Sequence, residues 1–139
     1  MEHLTVPGTL DSLSEIAKYV LSAASAAGLD KKASYRLRLA VDEIATNVII
    51  YGYEEANLQG NLHLEAKIDD SSLTIQMEDN AGAFDPVTKL AVEEENINLP
   101  MQQRPIGGLG VYLAIQGVDR FLYERVGDRN RNIFIVNLH

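Results

Sequence analysis

The spacing of apolar residues divides the chain into two parts with different periods. In the first part apolar residues recur every three or four positions, which predicts two amphipathic helices. The first helix would end at Gly28. The second would be capped by Asp30 and run from about Lys31 to Tyr51, with Gly52 as its stop. Because only a few residues join them, the two helices should pack side by side as a hairpin.

From Gly60 onward an alternating pattern replaces the helical one. Apolar and polar residues alternate on both sides of a turn at Asp69–Ser72, and again in a closing hairpin whose turn begins at Gly127. His3–Val6, halted by Pro7, predicts a further strand at a sheet edge. The elements together predict an α+β fold, a two-layer sandwich of one mostly antiparallel sheet with helices on one face.

Length and composition are typical of one globular domain, covering residues 1–139. The chain has no cysteine and its three histidines are scattered, which argues against thiolate chemistry and a zinc site. No apolar run approaches the roughly 18 residues of a membrane span, so we expect a cytoplasmic protein without a membrane anchor. A formal charge of −8 argues against nucleic-acid binding.

Positive charge is concentrated in the last third of the chain. We interpret most of these arginines as solvated surface charge, with Arg104 as the exception; the others are Arg120, Arg125, Arg129 and Arg131. Arg104 belongs to a segment, from about Val87 to Ile106, that has no clear period. A loop of this length within a compact domain is typical of a cover over a ligand.

The second predicted helix carries two polar residues beside its apolar stripe. Glu43 and Asn47 are four positions apart, so they project from the same face of the helix. A carboxylate and a carboxamide are costly to bury there without partners. Either the two side chains cap a turn or face water, or Asn47 offers its carbonyl oxygen to a hard cation while Glu43 orients or deprotonates a hydroxyl group.

Two turn regions add further candidate chemistry. Asp79 ends an apolar strand, where it could accept a hydrogen bond from an amino group such as that of adenine, or cap the turn. The run Gly107–Gly110 precedes an apolar helix predicted at 111–115. Exposed N–H groups at a helix N-terminus favour phosphate, although a plain turn into a helix explains the glycines equally well.

These three regions resemble the asparagine box and the two glycine boxes of the GHKL ATPase superfamily, which includes histidine kinases, gyrase and MutL. The matching segments are Glu43–Asn47, Asp79–Pro86 and Arg104–Val111. In its small size and in the amino-acid sequences of the last two segments, the chain is most similar to the anti-sigma-factor branch. This branch comprises the RsbW-like serine-protein kinases of bacterial partner switching. The resemblance covers nearly the whole chain, with the boxes in the expected order.

The resemblance implies a role for each candidate residue. Asn47 would be a ligand of the Mg²⁺ that bridges the ATP phosphates, and Glu43 would be the general base for an incoming serine hydroxyl. Asp79 would bind the adenine amino group, while Gly82 lets the loop pass close to the base. Contacts to the phosphates are implied for Arg104, Gly107, Gly108, Leu109 and Gly110.

The implied activity is ATP-dependent phosphorylation of a serine on a STAS-domain anti-sigma factor antagonist. Many such kinases also sequester a sigma factor, and homodimers are common among them. The chain departs from the family pattern at Ala81, where glycine is usual, and a methyl group there would narrow the approach of the backbone to adenine. This departure motivates a second hypothesis, a non-catalytic nucleotide-binding module that sequesters a regulatory partner.

A third hypothesis is a separate catalytic domain of a histidine kinase. No helical dimerisation and phosphoacceptor segment precedes the first predicted strand, so we expect this hypothesis to be the weaker one.

Overall fold

A computed structural model describes residues 1–83 and 115–138 of the chain. Five strands form one antiparallel sheet in the order β1-β2-β3-β5-β4. The strands are β1 (Leu4–Pro7), β2 (Asn61–Ile68), β3 (Ser72–Asp79), β4 (Arg120–Val126) and β5 (Arg129–Asn137). The predicted α+β fold with a mostly antiparallel sheet is confirmed.

Two α-helices lie between β1 and β2 in the chain. A short 3₁₀ turn, Leu10–Ser12, leads into helix α1 (Leu13–Ala26). Helix α2 (Lys31–Asn47) follows, and the Asp30 side chain caps it by accepting a hydrogen bond from the Ala33 amide at 2.8 Å. The two helices pack against each other as the short connection predicts.

Alternation along β2, β3 and β5 places one set of side chains toward the helices. Apolar members of this set form the core with the inner faces of both helices. The fully buried core side chains include Ile16, Leu37, Ile44, Leu64, Ile75 and Phe134. Because β3 and β5 lie beneath this core, polar residues on their inward faces are also enclosed.

The prediction that Gly52 stops the second helix is wrong. Regular α-helix ends at Asn47, and a π-helix then runs over Val48–Glu54. The hydrogen bonds of a π-helix join residues five apart, and this spacing continues at the end of the segment, where the Glu55 amide donates to the Ile50 carbonyl at 2.8 Å. Gly52 therefore lies within the helical segment, where it packs against Ala81 in the turn that follows β3.

Two smaller differences concern turns and undescribed segments. The predicted turn at 127–130 is shorter, because β5 already begins at Arg129 and Gly127 takes the left-handed conformation with φ +61°. The predicted loop at 87–106 and most of the predicted helix at 111–115 lie outside the described residues. No helix in the described ranges is long and apolar enough to cross a membrane.

Candidate functional site

A cavity of about 190 Å³ lies between the helical layer and the ends of β3 and β5. Its helical wall consists of Ile44, Asn47, Val48, Tyr51, Gly52 and Ala56. Its sheet wall consists of Asp79, Ala81, Gly82, Ala83, Asn130 and Asn132. The structure thus brings together residues that the sequence singled out in two separate segments, namely Asn47 in the first and Asp79 and Gly82 in the second.

The other predicted site residues do not line this cavity among the described residues. Glu43 is partly exposed and lies one helical turn before Asn47 on α2. Arg104, Gly107, Gly108, Leu109 and Gly110 lie outside the described residues. The cavity therefore combines the residues predicted to bind adenine with the predicted metal ligand Asn47, and the roles of all the predicted site residues stay predictions.

Asp79 is completely buried at the end of β3. Its Oδ1 accepts hydrogen bonds from Asn130 Nδ2 at 2.9 Å and from the Ala81 amide at 3.0 Å. Its Oδ2 is buried without a partner in the described part of the chain. Burial raises the pKa of Asp79, and the two hydrogen bonds oppose this effect. Asp79 thus presents one unsatisfied acceptor at the cavity wall.

Asn130 holds the turn that follows Asp79. Besides its bond to Asp79, its Nδ2 donates to the carbonyl of Gly82 at 3.0 Å and lies 3.3 Å from that of Ala81. Its Oδ1 accepts from the Tyr123 hydroxyl. One buried amide side chain therefore connects the carboxylate, the turn and the edge strand β4.

Arg125 strengthens the same turn from β4. Its Nη1 donates to the Ala81 carbonyl at 2.8 Å and to Asn130 Oδ1 at 3.2 Å. Our interpretation of Arg125 as solvated surface charge is wrong for its guanidinium group, although the residue as a whole is exposed. The guanidinium thus supplies the Ala81 carbonyl with a second hydrogen-bond donor besides Asn130.

Tyr53 ties the turn to the helical layer. Its ring is 2% exposed, and its hydroxyl accepts from the Asn80 amide and donates to the Asn61 carbonyl, both at 2.9 Å. A Cβ atom added to Gly8 or Gly60 would lie 2.5 or 2.6 Å from the ring, so both positions need glycine. Burial raises the pKa of Tyr53, which keeps the hydroxyl protonated as a donor.

The methyl group of Ala81 packs against Gly52. Ala81 is 3% exposed, and a Cβ atom added to Gly52 would lie 2.8 Å from its Cβ. That distance is shorter than any ordinary contact between two carbon atoms. The π-helix therefore supplies, at Gly52, the space that an alanine in the turn requires.

Two further polar atoms in the cavity wall lack partners among the described residues. They are Nδ2 of Asn47, a residue 9% exposed, and Oδ1 of Asn132, a residue 1% exposed. Buried polar atoms in native proteins are nearly always hydrogen-bonded to protein or water. Three such atoms around one cavity, with Asp79 Oδ2, indicate a site built for a polar ligand.

Sequence reasoning missed Asn130, Asn132 and Tyr53. The two asparagines occupy positions of β5 that face the helices, in phase with buried Phe134 and Val136. Polar residues in phase with an apolar stripe are the signal that could have identified them.

Residues 6–136 match the family model described as a histidine kinase-like ATPase domain. The chain belongs to this family. Membership supports ATP binding by this ATPase domain and a kinase or regulatory function. No curated protein matches the sequence.

Solved structures share the fold of this ATPase domain. The histidine kinase domain of the Erythrobacter litoralis EL346 blue-light activated histidine kinase is similar with a TM-score of 0.56 and 17% identity, over 92% of this chain and 60% of that one. The Acinetobacter baumannii histidine kinase AdeS has a TM-score of 0.53 and 12% identity, over 100% of this chain and 70% of that one. These identities show the fold alone, and the ATPase domain spans 60% of the first protein's length.

The residues of the cavity fit a magnesium nucleotide. Asp79 Oδ2 is a buried acceptor without a partner in the part of the chain that the structure describes, and such an acceptor suits a base with an amino group. No cluster of three or more His, Cys, Asp or Glu side chains that could hold a metal occurs in residues 1–83 and 115–138. Magnesium needs no such cluster, because it is commonly held by one protein oxygen together with substrate phosphates and water.

Proposed function

We propose that this ATPase domain is an ATP- and Mg²⁺-dependent serine-protein kinase of the RsbW-like kind. Its protein substrate would be a STAS-domain anti-sigma factor antagonist, and a sigma factor would be a second partner. The observation that carries the proposal is the shared cavity of Asn47 and Asp79, with a buried carboxylate oxygen on Asp79 that has no partner in residues 1–83 and 115–138. These are the residues to which the resemblance assigns metal binding and adenine binding.

The adenine end of ATP would lie against the sheet wall. Asp79 Oδ2 would accept a hydrogen bond from the adenine amino group, in an environment where an unmade bond is costly. The turn backbone at Gly82 is held by Asn130, and a Cβ atom added to Gly82 would meet no atom of residues 1–83 or 115–138 within 4 Å. These residues therefore leave open space beside Gly82.

The phosphate end would lie along α2. Asn47 would hold Mg²⁺ through its amide oxygen, and the bound metal ion would neutralise charge on the phosphates. Glu43 lies one turn away on the same face of the helix and is partly exposed, so a protein substrate could reach it. The serine oxygen would attack the γ-phosphorus while Glu43 takes the proton of the serine hydroxyl, and ADP would leave.

One observation favours the second hypothesis, a non-catalytic module that sequesters a partner. Glu43 does not line the cavity among the described residues, whereas Asn47 and Asp79 do. A domain that only binds nucleotide would need Asn47 and Asp79 but not the carboxylate of Glu43. The two functions differ in whether the γ-phosphoryl group of ATP is transferred to a protein.

A transfer assay with matched variants tests the proposal. The chain is titrated with Mg-ATP by calorimetry and then incubated with labelled ATP and a STAS-domain protein from the same genome. We expect ATP binding and serine labelling by the wild type, and binding without labelling by Glu43→Gln. Glu15→Gln, an exposed acid on α1, is the matched control and should label normally.

Each other result has a distinct meaning. Full labelling by Glu43→Gln would remove the general-base assignment. ATP binding with no labelling by the wild type would support the sequestering module, and a label on histidine would indicate histidine-kinase chemistry. Absence of ATP binding would reject a nucleotide site altogether.

A further inference from the structure

We propose that Asn132 is a second acceptor for the exocyclic amino group of the bound base. Asp79 Oδ2 and Asn132 Oδ1 would each accept one of the two hydrogens of that group. This inference rests on the proposed nucleotide binding, and it identifies Asn132 as a residue that determines the specificity for adenine over bases with an oxo group.

The sheet register places the two acceptors close together on one face. Asp79 pairs with Asn130 across β3 and β5, while Asn132 pairs with Met77. Asn132 is therefore the diagonal neighbour of Asp79, two residues along the same face of β5. Cα atoms of diagonal neighbours lie about 7–8 Å apart, within reach of side chains of this length.

This spacing suits one amino group shared between two oxygens. With N···O distances of about 2.9 Å and the two hydrogens pointing about 120° apart, the acceptors would lie about 5 Å from each other. Both residues line the same cavity, and both oxygens are buried without partners in the described part of the chain. A single ligand group could satisfy both.

The cavity separates the acceptor Asn132 Oδ1 from a donor in the helical wall, Asn47 Nδ2. Among the described residues, Asn47 Nδ2 is a buried donor without a partner and Asn132 Oδ1 is a buried acceptor without one. The two have not bonded to each other, although both line the same space. A collapsed polar core would pair them, so their separation indicates room reserved for a ligand between the helix and the sheet.

Two acceptors discriminate between bases by their exocyclic group. Adenine offers two N–H donors at this position, whereas hypoxanthine and guanine offer an oxygen that would face two other oxygens. A single methyl group on the amino nitrogen removes one donor. With one acceptor the remaining hydrogen would suffice, but with two acceptors one bond is lost.

Nucleotide titrations of the full chain test this inference. Dissociation constants are measured for Mg-ATP, Mg-N6-methyl-ATP and Mg-ITP with the wild type, with Asn132→Leu, and with Asn137→Leu. Leucine keeps the branching of asparagine at Cγ but has no acceptor. Asn137 lies exposed at the far end of β5 and is the matched control.

We expect the wild type to bind ATP about 2- to 12-fold more tightly than N6-methyl-ATP, because N6-methyl-ATP makes one hydrogen bond fewer. ITP should bind more weakly than N6-methyl-ATP. Asn132→Leu should weaken ATP binding by a similar factor and bind ATP and N6-methyl-ATP almost equally. The apo form of this variant should be at least as stable to heat as the wild type, because it no longer buries an unpartnered amide. Asn137→Leu should behave like the wild type.

The contrary results are separable. If Asn132→Leu weakens ATP and N6-methyl-ATP equally, Asn132 does not contact the amino group and the inference is wrong. The same holds if the wild type itself binds ATP and N6-methyl-ATP equally, a measurement that requires no variant. If no nucleotide binds to the wild type, the proposed function fails first and the inference fails with it.

Discussion

Asn130 and Asp79 lie directly opposite each other on β5 and β3, and Asn130 Nδ2 donates to Asp79 Oδ1 at 2.9 Å. This bond fixes the orientation of the carboxylate, so that Oδ2 is the oxygen left free at the cavity wall. The same amide holds the following turn through the Gly82 carbonyl. The geometry of the site thus depends on a residue outside all three boxes that carry the family resemblance.

Asn130→Ala should lower both stability and ligand affinity. The change removes the donor to Asp79 and to the turn, and buried acceptors left unsatisfied cost about 1–3 kcal/mol in the free energy of unfolding. We expect a loss in that range by urea denaturation, together with weaker Mg-ATP binding by calorimetry. Asn137→Ala, on the same strand but exposed, is the control. A loss below about 0.5 kcal/mol, as for ordinary surface substitutions, would contradict the role given to Asn130.

Tyr53→Phe should destabilise the fold through the turn. The ring would still fill its site between Gly8 and Gly60, but the Asn80 amide and the Asn61 carbonyl would lose their partner. We expect the free energy of unfolding to fall by about 1–3 kcal/mol in urea. Tyr35→Phe removes a hydroxyl from a tyrosine that is 58% exposed and should have little effect. Equal effects of the two substitutions would show that the Tyr53 hydroxyl does not support the turn.

Much of the fold could be predicted because the periodicity of the chain is clear. The helical period of α1 and α2, and the alternation in β2, β3 and β5, follow from which face each element buries. The π-helix after Asn47 could not be predicted in this way. It brings Gly52 against Ala81, a residue far away in sequence, and no local periodicity encodes that contact.

The candidate site was only partly predictable for a similar reason. Asp79 and Asn47 stand out because each is polar beside an apolar run. The contacts that complete the site depend on strand register, which pairs Asp79 with Asn130. Arg125 reaches a carbonyl 44 residues earlier in the chain, and no local pattern encodes that contact.

Gly52 and Ala81 should be energetically coupled. Gly52→Ala places a second methyl group 2.8 Å from that of Ala81, and such overpacking typically costs about 1–3 kcal/mol, partly offset by the higher helix propensity of alanine. Adding Ala81→Gly should relieve the clash. We therefore expect the double variant to be more stable than Gly52→Ala alone, with a coupling energy of at least about 0.5 kcal/mol in urea denaturation.

Gly82→Ala provides the control for that cycle, because its added methyl group would meet no atom of the described part of the chain within 4 Å. It should not destabilise the fold. Strict additivity of Gly52→Ala and Ala81→Gly would show that the two positions do not share one packing space.

The raised pKa of Asp79 should make stability depend on pH in a defined direction. Burial raises this pKa above its ordinary value of 3.8, so the folded state holds the proton more tightly than the unfolded state. The resulting stabilisation is complete below pH 3.8 and is lost as the pH rises through the folded-state pKa. Asp79→Asn has no charge to bury there, and it keeps an oxygen that can accept from Asn130.

The free energy of unfolding, measured in urea at a series of pH values, tests this sign. We expect Asp79→Asn to gain stability relative to the wild type as the pH rises from 3.8, and the difference to level off above the folded-state pKa. The same variant should bind ATP more weakly at neutral pH, because an amide nitrogen could replace the acceptor Oδ2. A difference that shrinks with rising pH would mean that the bonds from Asn130 and Ala81 outweigh burial, and that the carboxylate is stabilised in its charged form without a ligand.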